Sequence, residues 1–207
     1  MSLIVHHLNN SRSQRILWLL EEIGAPYEIR HYQRDAVTNL APPELKAVHP
    51  LGKSPLLEDD GRVIQESGAI VEYLCERHGG DALVPPRGTD DHVRHLELLH
   101  FAEGSAMTPV LLNLYVARLG DAAAPLRPRI DEQLGAHFAY LEGEIGDAGH
   151  FIGDRLSAAD IMLSFPAEVA AMNGADRYPR LAAFVAACHA RPAWQRARER
   201  GGDYFVF

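Results

Sequence analysis

Cysteine is scarce: the 207-residue chain holds two, Cys75 and Cys188, far apart in sequence and in different expected helices. No Cys-x-x-Cys pair exists, so dithiol redox chemistry is not expected and both thiols read as reduced. Long apolar runs are absent as well. No segment approaches the ~20 residues of a membrane helix, and the N-terminus has neither a cationic segment nor a long apolar one, so no secretion signal and a cytoplasmic location are expected. Positive charge is in deficit, with 20 Lys and Arg against 28 Asp and Glu and a net charge of −8. Phosphate backbones need a basic field, so no nucleic-acid partner is expected. The Arg-rich run 191–200 is interleaved with Ala and Glu199 and reads as a solvated helix face. The eleven histidines include no His-Glu-x-x-His and no Cys/His cluster, so no metal is expected either.

What is present is enough apolar residue, 47% of the chain, for a packed core. Residues 3–7 form a mostly apolar run that reads as a buried strand, ending in the polar turn Leu8-Asn9-Asn10-Ser11. From Ser13 the pattern is helical and closes at Gly24, and residues 27–32 read as a second strand. Strand, helix and strand within about thirty residues make a βαβ unit with parallel strands. A short helix near 43–47 follows. Then Leu56-Leu57, the Asp60-Gly61 turn and residues 63–65 make a hairpin, and a helix runs over 68–78 with Ser67 as its N-cap. Residues 80–89 are a linker by composition, which separates an α/β domain at 1–79 from an all-α domain at 90–207. In the second domain one helix is expected over 90–119, bent at Gly104 and Pro109, with others at 125–145, 178–190 and 192–200. Ser157 and Asp160 form a Ser-x-x-Asp capping box with a structural role.

Two stretches carry chemistry. Pro55 enters a strand without an N–H to donate, which makes it a candidate cis bond and leaves the Ser54 backbone open to pair with a bound peptide. The free N–H groups of Ser67 and Gly68 make an anion receptor beside the Glu66 carboxylate, a cation receptor; together they fit an amino-acid head group. Earlier in the chain, Asn10 and Ser11 lie over a helix N-terminus, where N–H groups and the dipole favour a thiolate. One charge-assisted hydrogen bond with such N–H groups supplies roughly 2 to 3 kcal/mol. A turn or capping role for Ser11, and plain capping at Glu66-Ser67, are the competing readings.

Lys53-Ser54-Pro55 followed by Glu66-Ser67-Gly68-Ala69-Ile70 resembles the glutathione-site signature of the glutathione transferases. Asn10-Ser11-Arg12-Ser13-Gln14-Arg15 with Leu17-Trp18-Leu19-Leu20-Glu21-Glu22 is similar to the start of the serine-type enzymes of that family. The resemblance spans nearly the whole chain and is strongest at 4–22, 49–74 and 151–163. It departs at Ser54, where the family often has Val, and at His49, where Asn is common. The resemblance implies a thioredoxin-like N-terminal α/β domain and an all-helical C-terminal domain. It implies glutathione as co-substrate, with Lys53 on the glycyl carboxylate, Ser54 beside cis Pro55 on the cysteinyl backbone, and Glu66 with Ser67 on the γ-glutamyl end. Ser11 is then the sulfur's partner, with Asn10 and His7 in reserve and Ser13 as a helix cap.

The function so implied is transfer of glutathione to hydrophobic electrophiles by a cytoplasmic homodimer active in detoxification. Phe101, Met107, Leu111 and Tyr115, at helical spacing, are the expected electrophile contacts, with core packing the competing reading for each. Two other classes stand beside it: a glutathione-dependent peroxidase or disulfide reductase on the same fold, and a non-catalytic binding or scaffold protein.

Overall fold

A computed structural model describes residues 2–204 and divides into two compact units. One reaches to Val84 and takes in the chain again from Cys188, whereas the other spans Pro85–Ala187. The expected helical domain at 90–207 differs from this in its last segment, which groups with the α/β unit. Among the described residues no helix is long and apolar enough to cross a membrane.

The first unit carries a four-stranded sheet in the order β2-β1-β3-β4. Strand β1 (Leu3–Leu8) lies parallel to β2 (Tyr27–Tyr32) in a register that pairs Leu3 with Tyr27 and Leu8 with Tyr32. Its other edge runs antiparallel to β3 (Leu56–Asp59), and β3 pairs with β4 (Arg62–Gln65). All six residues of β1 are buried, His6 and His7 among them, as befits a central strand covered on both faces. Between β1 and β2 runs α1 (Ser13–Ile23), stopped by Gly24 at φ 68°, where a side chain would be strained. Below the sheet α2 (Glu44–Val48) drops Leu45 onto Leu8 and Leu56. After the hairpin comes α3 (Ser67–Arg77).

The C-terminal helix α9 (Pro192–Gly201) packs on α1 with Ala193, Trp194 and Ala197 buried, and its arginines add charge pairs. Arg191 forks onto both Glu22 oxygens at 2.6 and 2.9 Å, while Arg196 and Arg200 each reach Glu21 at 2.8 Å. Arg200 also donates to the Tyr27 carbonyl and lies over its ring, 3.8 Å from the centroid. The arginines of 191–200 are therefore not one solvated face: Arg196 and Arg200, a helical turn apart, are aimed at the same carboxylate.

The second unit is helical. Thr89 caps α4 (Asp90–Phe101) by accepting from the His92 N–H at 3.2 Å. The single helix expected over 90–119 is instead α4, a π-helical stretch at Ala102–Ala106, α5 (Met107–Val116), and a 3-10 segment broken at Gly120. Pro109 accounts for the widening, since it lacks an N–H and its ring would strike the carbonyl four residues back. The chain continues as α6 (Arg127–Glu144), α7 (Ala158–Met172) and α8 (Pro179–His189). The capping box at α7 forms as expected from its spacing: Ser157 Oγ accepts from the Asp160 N–H and the Asp160 carboxylate accepts from the Ser157 N–H.

Candidate functional site

Strand register assembles the site. Because His6 pairs with Leu56 and Leu56 pairs with Gln65, the C-terminal end of β1, the start of β3 and the end of β4 meet at one end of the sheet. That end carries the turn with Asn10 and Ser11, then Lys53-Ser54-Pro55, then Glu66-Ser67. A further tie comes from Arg15 on α1, 1% exposed, whose Nη2 donates to Ser67 Oγ at 3.1 Å.

The turn is held by Arg34, two residues beyond β2. Asn10 sits at φ 48°, a left-handed conformation that Asn tolerates better than most residues. Arg34 donates from its backbone N–H to Asn9 Oδ1 at 2.8 Å, from Nε to the Asn9 carbonyl at 3.2 Å and from Nη2 to the Asn10 carbonyl at 3.3 Å. Its third nitrogen, Nη1, reaches the Asn39 carbonyl at 3.0 Å. Nothing in the local spacing marks Arg34; only the pairing of Leu8 with Tyr32 brings it beside the turn. Arg34→Met is expected to cost about 1 to 2 kcal/mol, the scale of a few charge-assisted hydrogen bonds at a half-buried site. Urea denaturation measures this, and an unmoved midpoint would deny Arg34 that holding role.

Ser11 is 5% exposed, and its Oγ accepts from the Ser13 N–H at 3.2 Å. Its oxygen also lies 2.7 Å from Ser13 Oγ, and Ser13 Oγ lies 2.8 Å from His7 Nδ1. Ser13 therefore does not cap α1, whose N-cap position falls on Arg12, with no side-chain capping bond there. A hydroxyl at a helix start binds whichever partner is nearest, and here the His7 ring stands over it. His7 is 2% exposed, and burial, reinforced by the nearby His31, holds its pKa down at about 4. His7 and His31 meet ring to edge at 5.8 Å.

Ser54-Pro55 is a cis peptide. The Ser54 hydroxyl stitches this segment to β1, donating to the His6 carbonyl at 2.8 Å and accepting from the Leu8 N–H at 3.3 Å. Among the described residues the Ser54 backbone N–H and C=O make no backbone hydrogen bond. Lys53 is exposed beside it. At the end of β4, Glu66 is exposed and held at φ 69°, a strained region for a side-chain-bearing residue. Ser67 is the first residue of α3 rather than its N-cap, and its hydroxyl serves Arg15 instead. Its N–H and that of Gly68 belong to the first helical turn, where no carbonyl of the helix can reach them. Cation, open backbone pair, helix tip and carboxylate thus lie at one end of the sheet.

The four residues expected to meet an electrophile belong to the second unit. Met107 is 1% exposed, Leu111 is partly buried and Tyr115 is exposed. The Phe101 ring stacks on His137 and packs against Tyr140, centroids 5.8 and 5.0 Å away.

The chain is similar to known proteins over nearly its whole length. Residues 1–76 match the family described as glutathione S-transferase, N-terminal domain, and residues 124–187 match the glutathione S-transferase C-terminal domain. The chain is 30% identical to glutathione S-transferase 1 of Saccharomyces cerevisiae over 95% of its own length and 94% of that protein's. It is similar to a glutathione S-transferase structure from Actinobacillus pleuropneumoniae at a TM-score of 0.88 and 33% identity, covering 96% of this chain and 92% of that one. A sphingomonad glutathione S-transferase complexed with glutathione matches at a TM-score of 0.76 and 27% identity, over 98% and 99% of the two chains. At the level of the family these relatives support a glutathione-dependent transferase and the binding of glutathione. With both halves matched by its domains and a transferase relative aligned along nearly its full length, the chain belongs to the glutathione S-transferase family.

Proposed function

We propose that this enzyme conjugates the glutathione thiolate to small hydrophobic electrophiles, with Ser11 as the hydroxyl that steadies the sulfur and Asn10 beside it. The observation that carries the proposal is the open Ser54 backbone next to a cis proline, on the same end of the sheet as the Glu66-Ser67 helix tip. Glutathione lies along that edge. Lys53 takes the glycyl carboxylate, Ser54 pairs with the cysteinyl backbone, and the Ser67 N–H with Glu66 holds the γ-glutamyl head. Arg15, by binding the Ser67 hydroxyl, steadies the tip that receives the head group.

Chemistry then reduces to ionisation and placement. A free thiol with a pKa near 8.5 is mostly protonated at neutral pH, and each unit of depression needs about 1.4 kcal/mol of preference for the thiolate. One hydroxyl donor and the first N–H groups of α1 supply it, and the bound electrophile reacts by proximity. The peroxidase or reductase reading calls for a thiol at the turn, where Ser11 stands. Cys75 is no substitute, since it is buried and burial pushes its pKa up to about 12. For the second substrate, the exposed apolar surface of Tyr115 and the part-exposed Phe101 and Leu111 support a contact role better than does buried Met107. A homodimer and a detoxifying role in the cytoplasm belong to the same proposal, carried by the family resemblance alone.

Ultraviolet titration of the thiolate in the glutathione complex tests the assignment. Ser11→Ala is expected to raise the thiol pKa by about one to two units, equivalent to the loss of one charge-assisted hydrogen bond. An unmoved titration would transfer the role to Asn10 or to the backbone.

A further inference from the structure

The chain from Ser11 through Ser13 to His7 ends on the last residue of α9, where the Gly201 carbonyl hydrogen-bonds the imidazole. The fit is close: a Cβ on Gly201 would lie 2.8 Å from Leu17 Cδ1 and 3.0 Å from Gln14 Oε1, so those side chains would have to shift. With Ser13 Oγ at Nδ1, Nε2 is the nitrogen left for the Gly201 backbone that borders the ring, and the assigned tautomer is the one that serves both partners. A carbonyl can only accept, so Nε2 carries the ring proton.

Donor counting then fixes the rest. His7 is neutral, with burial and the nearby His31 both opposing a charge, so Nδ1 has only a lone pair to offer; at 2.8 Å it takes the Ser13 proton ahead of the Leu8 carbonyl, which lies 3.4 Å from the same hydroxyl. Ser13 has one hydroxyl proton. Having given it to His7, it can only accept at the 2.7 Å contact, and there the donor is Ser11. Ser11, Ser13 and His7 are all 5% exposed or less, so water does not stand in for these partners. Ser11 Oγ also accepts from the Ser13 N–H, which leaves one lone pair for anything outside the chain.

We propose that His7 is a positioning residue for the thiol reaction: by fixing Ser13 as its donor, it turns the single Ser11 proton inward, so that the glutathione sulfur must compete with Ser13 for it. The inference rests on Ser11 being the sulfur's partner and adds what sets that partner's direction. The arriving S–H meets a Ser11 lone pair. On ionisation the thiol proton leaves to the buffer, the Ser11 O–H swings from Ser13 to the sulfur, and the Oγ to Oγ hydrogen bond is given up for a charge-assisted one. No other bond to hydrogen changes.

The sign of the prediction separates this from a merely structural role. Ser13→Ala removes the competing acceptor while keeping the backbone N–H that holds Ser11. The thiol pKa in the glutathione complex should fall by about half a unit to one unit, three to ten times more thiolate at a fixed pH below it. His7→Leu should act in the same direction but by less, because the freed Ser13 proton is then shared between Ser11 and the Leu8 carbonyl. His7→Asn, which keeps an acceptor in reach of Ser13, should titrate close to the unaltered enzyme. Circular dichroism identifies any variant that fails to fold, and Ser13→Ala carries the test if His7→Leu does.

A thiol pKa that is unchanged or raised in folded Ser13→Ala overturns the inference. Failure of the underlying assignment looks different, because there Ser11→Ala leaves the titration where it was. In the double variant Ser11→Ala/Ser13→Ala the Ser13 effect should vanish; its persistence would show that Ser13 does not act through Ser11 and would also overturn the proposal.

Discussion

Asp160→Ala is expected to destabilise the helical unit by about 3 to 5 kcal/mol, the scale for stripping the acceptor from a buried hydrogen-bond network. The carboxylate is fully buried. One oxygen accepts from the Phe151 N–H at 2.9 Å, and the other accepts from the Ser157 N–H and the Ser157 hydroxyl, both at 2.7 Å. Alanine leaves two buried N–H groups without an acceptor, at about 1 to 3 kcal/mol each, and dissolves the reciprocal half of the cap. Asp160→Asn should cost less, since its carbonyl oxygen still serves one side. Urea denaturation followed by circular dichroism measures both losses. The two partners act as a unit, so Ser157→Ala/Asp160→Ala should cost less than the two single changes added. A loss below about 1 kcal/mol for Asp160→Ala, or simple additivity, would remove Asp160 from the fold's supports.

What could be read from the sequence follows the range of each interaction. The βαβ unit over residues 3–32 was legible because apolar runs, Gly24 and the helix pattern are all local signals, and β2 falls at Tyr27–Tyr32. The same holds for Ser157 with Asp160, whose partners are three residues apart. The cis bond at Pro55 was legible from proline chemistry beside a strand start. Hydroxyls at helix starts were not: Ser13 and Ser67 both look like caps by position, yet one faces a histidine six residues back and the other an arginine 52 residues away. Local spacing reports that an oxygen lies near free N–H groups and is silent about which buried side chain arrives first. Arg34 and the arginines of α9 escaped for a related reason, because their partners at Asn9, Asn10, Glu21 and Glu22 are reached only after the sheet and α1 have formed. Burial of His7 has the same origin, and it has a thermodynamic consequence.

Stability should fall as the pH drops from about 6.5 toward 4, and His7 should account for a measurable part of the slope. Its folded pKa is lowered from 6.5 to about 4, chiefly by burial, so between those values the unfolded chain binds the proton that the folded chain refuses. Stability therefore rises with pH across the window: the contribution is full above 6.5, reduced by about 2 kcal/mol at pH 5, and gone, by about 3 kcal/mol, below 4. His6, whose pKa burial also lowers, adds to the slope with the same sign, as does His95, lowered to about 4 by burial and by the nearby His92. The comparison of slopes isolates His7. In His7→Asn the free energy of unfolding, measured by urea titration at intervals from pH 4 to 7, should depend less steeply on pH, with about one proton fewer taken up on unfolding near pH 5. Parallel curves for the two proteins would mean that His7 is as readily protonated inside the fold as outside it, and the neutral imidazole at the end of the serine chain would fall with that result.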